Sequence, residues 1–143
     1  MTKSTTDCWK VPNGFQQDSS LPFSPAAELP CGIIQLSGII APLGDDGRVR
    51  ERAFAAQVTL IFEAISRRLQ VAGLNVTDVF HLRVFLATGP EVEAAFNRLY
   101  ERIMERVGIV NLPTRTMIGV AWLPKGAQVE IEVHACRPSS QSE

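Results

Sequence analysis

Two segments of the chain each carry their apolar residues along one stripe at helical spacing, and short runs rich in β-branched residues alternate with these segments. This pattern constrains the fold more than any other feature of the sequence. The stripe of the first segment, from about residue 50 to 72, consists of Phe54, Val58, Ile61, Phe62, Ile65 and Leu69. The stripe of the second segment, which ends near residue 107, consists of Val92, Ala95, Phe96, Leu99 and Ile103. A helix that is apolar on one side buries that side against one surface. We therefore expect both helices to cover the same face of one β-sheet, in a two-layer α+β sandwich.

Four short runs rich in β-branched and aromatic residues are predicted to be strands. They cover residues 32–40, 76–87, 115–122 and 127–135. In the second run, alternation places Phe80 on the same face as Leu82. Residues 88–91, Thr-Gly-Pro-Glu, predict a capping box at the start of the second helix. The Leu-Pro-Lys-Gly link at residues 123–126 combines a fixed φ with a flexible glycine, and it predicts that the last two strands form a hairpin.

The face of the sheet that carries no helix is expected to hold the chemically active side chains. In the last strand, Glu130, Glu132 and His134 alternate with apolar residues, so these three share that face. The predicted hairpin would place Arg115 and Met117 on it as well. Such a mixed face is poorly suited to bulk water, which predicts that another subunit covers it.

An arginine and a carboxylate at an interface would suit an anionic small molecule. The alternative is that Arg115 and Glu130 only form an interfacial ion pair. Glu132 is expected to form a structural salt bridge, with Arg83 as its candidate partner, or to border a ligand-binding cleft on this face. His81 and His134 are interpreted as structural, because a lone histidine on a strand is more often structural than catalytic.

Composition excludes several classes of function. Fourteen Lys and Arg residues against 15 Asp and Glu give a net charge of -1, so we expect neither nucleic-acid nor membrane-surface binding. The longest uncharged run, residues 29–44, is broken by prolines and is too short to span a bilayer. The first 20 residues lack a signal-like apolar block, which predicts a cytoplasmic chain. The three cysteines are widely spaced, so we expect reduced thiols and no metal site.

The length of 143 residues fits one domain. We expect an N-terminal arm that is partly flexible at residues 1–20, a single domain at residues 21–136, and a flexible tail at residues 137–143, because both ends are rich in small polar residues.

Residues 113–132, Pro-Thr-Arg-Thr-Met-Ile-Gly-Val-Ala-Trp-Leu-Pro-Lys-Gly-Ala-Gln-Val-Glu-Ile-Glu, closely resemble the C-terminal signature of the RidA/YjgF family. In that signature an Arg-Ser/Thr strand leads through Leu-Pro-Lys to Val-Glu-Ile-Glu. Residues 22–26, Pro-Phe-Ser-Pro-Ala, the pair Ser37-Gly38, and Asn97 with Tyr100 add to the resemblance. The similarity extends over about residues 21–135, nearly the whole predicted domain.

The resemblance implies a chorismate-mutase-like fold with a mixed sheet, two helices on one face, and assembly into a homotrimeric barrel with clefts between subunits. It further implies hydrolysis of enamines or imines that carry a carboxylate, giving a keto product and ammonia without metal or organic cofactor. By the same resemblance, Arg115 would bind the substrate carboxylate and Glu130 would orient or deprotonate the attacking water. The residues that would line the cleft are Phe23, Ser37, Gly38, Asn97 and Met117.

Two positions depart from many imine deaminases of the family. Phe23 stands where many members have tyrosine, and Met117 stands where many have cysteine, so a hydroxyl and a thiol are missing from the cleft. A substrate larger than 2-aminoacrylate, for example of the 2-aminomuconate type, is compatible with both changes. The alternative is a non-catalytic module that binds carboxylates or acts like a chaperone. Ribonuclease activity, a third alternative, is disfavoured by the absence of a basic patch.

Overall fold

The computed structural model describes residues 8–139 as one five-stranded sheet with two helices. The strands are β1 (Ala26–Glu28), β2 (Ile33–Ile39), β3 (Val79–Leu86), β4 (Thr114–Gly119) and β5 (Val129–Cys136). The helices are α1 (Phe54–Val71) and α2 (Glu93–Arg106), and single 3₁₀ turns lie at Val76–Asp78, Pro90–Val92 and Pro124–Gly126. The strand order is β1-β2-β5-β3-β4, and only the β3–β4 pair is parallel.

Both helices pack on one face of the sheet, which we call the core face; the opposite face is the helix-free face. Val58, Ile61 and Leu69 on α1 are completely buried, as are Val84 on β3 and Ile131 on β5. The helical stripes therefore meet the apolar side of the strands, as their periodicity requires. The predicted mixed α+β sandwich with two helices on one face is confirmed.

The predicted hairpin between the last two strands is wrong. β4 lies at the sheet edge and runs parallel to β3, while β5 lies between β2 and β3 and is antiparallel to both. The reason is that α2 forms the crossover between two parallel strands, whereas β5 satisfies the hydrogen-bonding edges of both β2 and β3. The Pro124–Gly126 turn instead packs against an earlier loop, where the Val49 amide donates to the Lys125 carbonyl at 3.0 Å.

Two local predictions also fail for identifiable reasons. The β3–β5 register shifts between Val79 and His81, so Val79 is buried and Phe80 is 43% exposed, away from the core. The capping box predicted at Thr88 does not form, because a 3₁₀ turn precedes α2 and the Thr88 hydroxyl has no partner among the described residues. A capping box forms instead at Asn75, which leads into β3.

The described part of the predicted N-terminal arm lies against the domain. Lys10 pairs with Glu28 of β1, Phe15 packs against the core, and Gly14 lies beside Val71 at the end of α1. From the C-terminal end of the chain, Arg137 donates a hydrogen bond to the carboxylate of the same Glu28 at 2.6 Å. The outer parts of the predicted arm and tail, residues 1–7 and 140–143, lie outside the described residues. Neither helix of the described chain is long and apolar enough to cross a membrane.

Candidate functional site

Arg115 lies on the core face, at the free edge of the sheet. It pairs with Leu82, whose side chain is buried under the helices, so the side chain of Arg115 points toward α2. Its guanidinium carbon lies 5.1 Å from the ring centroid of Tyr100 and 5.6 Å from that of Phe96. The prediction that Arg115 and Met117 share the helix-free face with Glu130 is therefore wrong, because it depended on the hairpin.

The Arg115 guanidinium has no carboxylate partner within residues 8–139. It is held instead by the faces of two aromatic rings, which attract a cation without neutralising it. Arg115 as a whole is only partly buried. This arrangement leaves a planar, permanently charged fork free to bind a carboxylate by two parallel hydrogen bonds.

Two other predicted residues lie near this edge. Met117 is on the same side of β4 as Arg115 and lines a cavity of about 270 Å³ with Thr88 and Glu93. Asn97 lies on α2, and its Oδ1 atom is buried with no hydrogen-bond partner among the described residues. We call Asn97, Arg115 and Met117 the arginine half-site.

Tyr100 completes the surroundings of Arg115. Its hydroxyl is buried and likewise lacks a partner within the described chain. Burial raises the pKa of Tyr100, and the positive charge of Arg115 opposes that rise. The ring is thus neutral at physiological pH and presents its face to the guanidinium.

Glu130 lies on the helix-free face, opposite Phe85. Its carboxyl group packs directly against the backbone of Gly38, where a Cβ atom would lie 2.9 Å from the Glu130 Cδ. Burial, and secondarily the nearby charge of Glu132, raises the pKa of Glu130. A raised pKa brings a carboxyl group closer to neutral pH, which favours its use in proton transfer.

Ser37 and Gly38 form an irregularity in β2, where the pairing with β5 shifts between Leu36 and Ile39. The Ser37 hydroxyl donates to the Ser24 carbonyl at 2.6 Å, which fixes the segment that carries Phe23. Phe23, Ser37 and Gly38 line a common cavity of about 380 Å³. We call these three residues and Glu130 the glutamate half-site.

The two half-sites are separate within one chain. Glu130 and Arg115 lie on strands separated by β3, and their partners on that strand, Phe85 and Leu82, are three residues apart. These spacings put the two backbone positions roughly 14 Å apart, on opposite faces of the sheet. All seven predicted site residues thus fall into two groups, and the structure does not bring the groups together within one chain.

The remaining charged residues of the helix-free face form a network. The predicted pairing of Arg83 with Glu132 is confirmed, at 3.2 Å between Nη1 and Oε1. His134 lies 4.0 Å from the same carboxylate, and burial lowers the pKa of this histidine. His81 Nδ1 is 2.8 Å from the Thr114 hydroxyl. Within residues 8–139 no cluster of His, Cys, Asp or Glu residues has an arrangement that could bind a metal ion.

Sequence reasoning missed one charged residue beside the glutamate half-site. Arg68, on the last turn of α1, lines the same cavity as Ser37 and Gly38. The available signal was its position next to Leu69 at the margin of the apolar stripe, where a charged head group can remain near a cavity while its stem is buried.

The fold and the half-sites define a class of small α+β proteins that present, within the described residues, an arginine without a carboxylate partner and a partly buried carboxylate. The model of the family described as Endoribonuclease L-PSP matches residues 16–137. The chain therefore belongs to this family, which is the RidA/YjgF family, and the resemblance noted in the sequence is confirmed.

Individual relatives agree with this assignment. A RutC family protein of Aquifex aeolicus is 31% identical over 116 residues, covering 81% of this chain and 89% of the relative. TdcF of Escherichia coli K12, which carries the provisional name of reactive intermediate deaminase, is 33% identical over 81 residues, covering 57% of this chain and 61% of its own. The crystal structure of E. coli TdcF with bound serine has a TM-score of 0.75 at 26% identity, covering 90% of this chain and 98% of TdcF. The YjgF gene product of E. coli gives the same TM-score, identity and coverage.

Proposed function

We propose that the protein is a cofactor-independent hydrolytic deaminase of enamines or imines that carry a carboxylate. The observation that carries the proposal is the Arg115 guanidinium, which is held on the rings of Phe96 and Tyr100 and has no carboxylate partner in the described chain. A guanidinium held in this way binds a substrate carboxylate without first breaking an ion pair. The name of TdcF and the serine bound in its crystal structure support a small substrate that carries a carboxylate.

The reaction needs a proton donor and acceptor but no redox partner. The enamine takes a proton from solvent on carbon to become the iminium ion, and water then adds to the iminium carbon, forming a C–O bond. The proton released by the water goes to Glu130, which passes it to the nitrogen. The C–N bond then breaks as the hydroxyl proton returns to solvent, and ammonia and the keto acid leave. The raised pKa of Glu130 suits this role, because its carboxyl group exchanges protons closer to neutral pH than an exposed glutamate does.

The separation of the half-sites requires a second part to the proposal. We place the arginine half-site of one subunit against the glutamate half-site of a neighbour, in a homotrimer with clefts between subunits. Exposed apolar residues on and around β4 support an interface there: Leu112 is 61% exposed, Ile118 39% and Trp122 75%. A single chain would then be complete as a fold and incomplete as a catalyst.

The first experiment measures activity. 2-Aminoacrylate is generated enzymatically, and release of pyruvate is followed for the wild type, Arg115→Ala and the control Arg102→Ala, which removes an exposed arginine from α2. We expect faster release with the wild type and with the control, and the background rate with Arg115→Ala. If larger carboxylated imines are tested as well and none is hydrolysed faster than in buffer, the deaminase proposal is wrong.

The second experiment tests the shared site. Arg115→Ala and Glu130→Gln subunits, each inactive alone, are unfolded together and refolded as mixed trimers. If each site takes its arginine from one subunit and its glutamate from the next, about a quarter of the sites regain both wild-type residues. Activity that stays at the level of the separate variants, in trimers shown by mass spectrometry to be mixed, would contradict the shared site.

The alternative is a module that binds carboxylates without turnover, and the missing hydroxyl at Phe23 and missing thiol at Met117 favour it. It predicts that a carboxylate binds the wild type and not Arg115→Ala, while no imine is hydrolysed. Calorimetric titration alongside the kinetic assay separates the two functions.

A further inference from the structure

A second arginine without a partner lies beside the glutamate half-site. Arg68 is on the last turn of α1, and its side chain reaches the cavity of about 380 Å³ that Phe23, Ser37 and Gly38 line. The cavity thus joins the residues assigned to substrate binding with a cation from a different element of the fold.

The Arg68 guanidinium has no ion pair and no side-chain hydrogen bond within residues 8–139. Burial, and secondarily the adjacent charge of Arg67, lowers the pKa of Arg68. Because the normal pKa of arginine is very high, the group nevertheless stays charged at physiological pH. Removing such a charge from water without a partner costs free energy, which an anion bound in the cavity would recover.

The other walls of the cavity suit a ligand with an apolar body. Phe15, Leu21 and Phe23 contribute apolar surface, and they come from the N-terminal arm and the segment that follows it. One carboxylate, that of Asp18, also lines the cavity, but it is fully exposed and accepts hydrogen bonds from the Ser20 amide and hydroxyl. Water screens an exposed charge of this kind, so Asp18 does not cancel the attraction of a half-buried guanidinium for an anion.

We propose that Arg68 binds a second carboxylate of the substrate, so that the enzyme acts on imino or enamino dicarboxylates. The inference rests on the proposed function, because it places the far end of the same substrate in the glutamate half-site. Arg115 of one subunit would hold the carboxylate next to the imine carbon, and Arg68 of its neighbour would hold the distal carboxylate. A substrate fixed at both ends presents its imine carbon to Glu130 in one orientation.

The test compares two imines of equal chain length, 2-iminoadipate and 2-iminohexanoate, each generated in the assay from its amino acid by an amino acid oxidase. The wild type is expected to have a kcat/KM at least about 10-fold higher for the dicarboxylate, since a hydrogen-bonded charge pair in a partly buried site contributes at least that much. Arg68→Gln should raise KM for 2-iminoadipate by a similar factor and leave 2-iminohexanoate nearly unchanged. Arg68→Lys should restore part of the preference, and Arg67→Gln, which removes the exposed neighbour, should retain it.

Failure of this inference is distinguishable from failure of the proposed function. Equal kcat/KM for the two imines, or an Arg68→Gln variant that changes both substrates equally, would overturn the second-carboxylate site while leaving the deaminase intact. If neither imine is hydrolysed, calorimetric titration with adipate and with hexanoate decides: tighter binding of adipate that Arg68→Gln abolishes supports the site, and equal binding of both overturns it.

Discussion

Replacing Gly38 by alanine is expected to displace the Glu130 carboxyl group without unfolding the protein. A Cβ atom at residue 38 would lie 2.9 Å from Cδ and 3.1 Å from Cγ of Glu130, and closer still to Oε1. Favourable contacts between heavy atoms need about 3.5–4.0 Å, so the carboxyl group must move by roughly 0.5–1 Å. Gly38 does not have a positive φ, so its backbone accepts alanine without strain.

The expected consequence is a loss of rate larger than the loss of stability. A displacement of about 1 Å at a catalytic group reduces rates by up to about 100-fold, so we expect kcat in the deaminase assay to fall by about 10- to 100-fold. The free energy of unfolding should change by less than about 1 kcal/mol, because the entropic gain of a Gly→Ala change offsets most of the cost of rotating Glu130. Gly44→Ala is the matched control, since the added methyl group meets only ordinary contacts there.

A double-mutant cycle with Glu130→Ala checks the reasoning. Once the Glu130 side chain is truncated, Gly38→Ala has nothing to displace and should leave the residual activity unchanged. An equal rate loss from Gly38→Ala in both backgrounds would refute the argument that this glycine acts through Glu130.

Three further predictions follow from buried groups. Arg115→Gln should raise the pKa of Tyr100 further, because it removes the charge that opposes the effect of burial. The chain has one tyrosine, so an absorbance titration measures the pKa of Tyr100 directly. An unchanged pKa would contradict the contact between the Arg115 guanidinium and the Tyr100 ring. Because the pKa of Glu130 is raised in the folded protein, this group stabilises the fold below about pH 4.3, and that stabilisation is lost as the pH rises through the raised pKa. The urea concentration at the unfolding midpoint should therefore fall less between pH 4 and pH 8 in Glu130→Gln than in the wild type. An equal fall in both proteins would argue against burial of the group. Gln57, completely buried on α1, donates a hydrogen bond to the Glu51 carbonyl and accepts one from the Gln128 amide. Gln57→Leu should lower the free energy of unfolding, measured by urea denaturation, by about 1–3 kcal/mol. A loss below about 0.5 kcal/mol would show that these hydrogen bonds contribute little.

The elements that were predicted correctly are those whose evidence is local. The stripes of α1 and α2 and the alternation of β5 are periodic patterns, so the sequence alone indicates two helices on one face and places Glu130, Glu132 and His134 together. The pairing of Arg83 with Glu132 was also predictable, because both lie on the helix-free face of long, regular strands.

Strand pairing was not predictable in the same way, and the wrong pairing of the last two strands led to the wrong face for Arg115 and Met117. Alternation correctly groups Arg115 with Met117 on one side of β4, but the face on which they lie depends on which strand is the neighbour. Turn residues between β4 and β5 indicate a reversal and say nothing about whether the two strands pair. Arg68 was missed for a related reason, since a charged residue at the end of an amphipathic helix is normally solvated and only the folded chain shows the cavity beside it.

The position of β5 also has a consequence for how the chain is made. It follows the other four strands in sequence, yet it lies in the centre of the sheet and pairs with both β2 and β3. During synthesis β2 and β3 therefore emerge from the ribosome with unpaired edges, and the sheet cannot close until Val129–Cys136 has been added. Unpaired strand edges promote aggregation, so we expect the nascent chain to be most prone to aggregation in the interval before β5 is added.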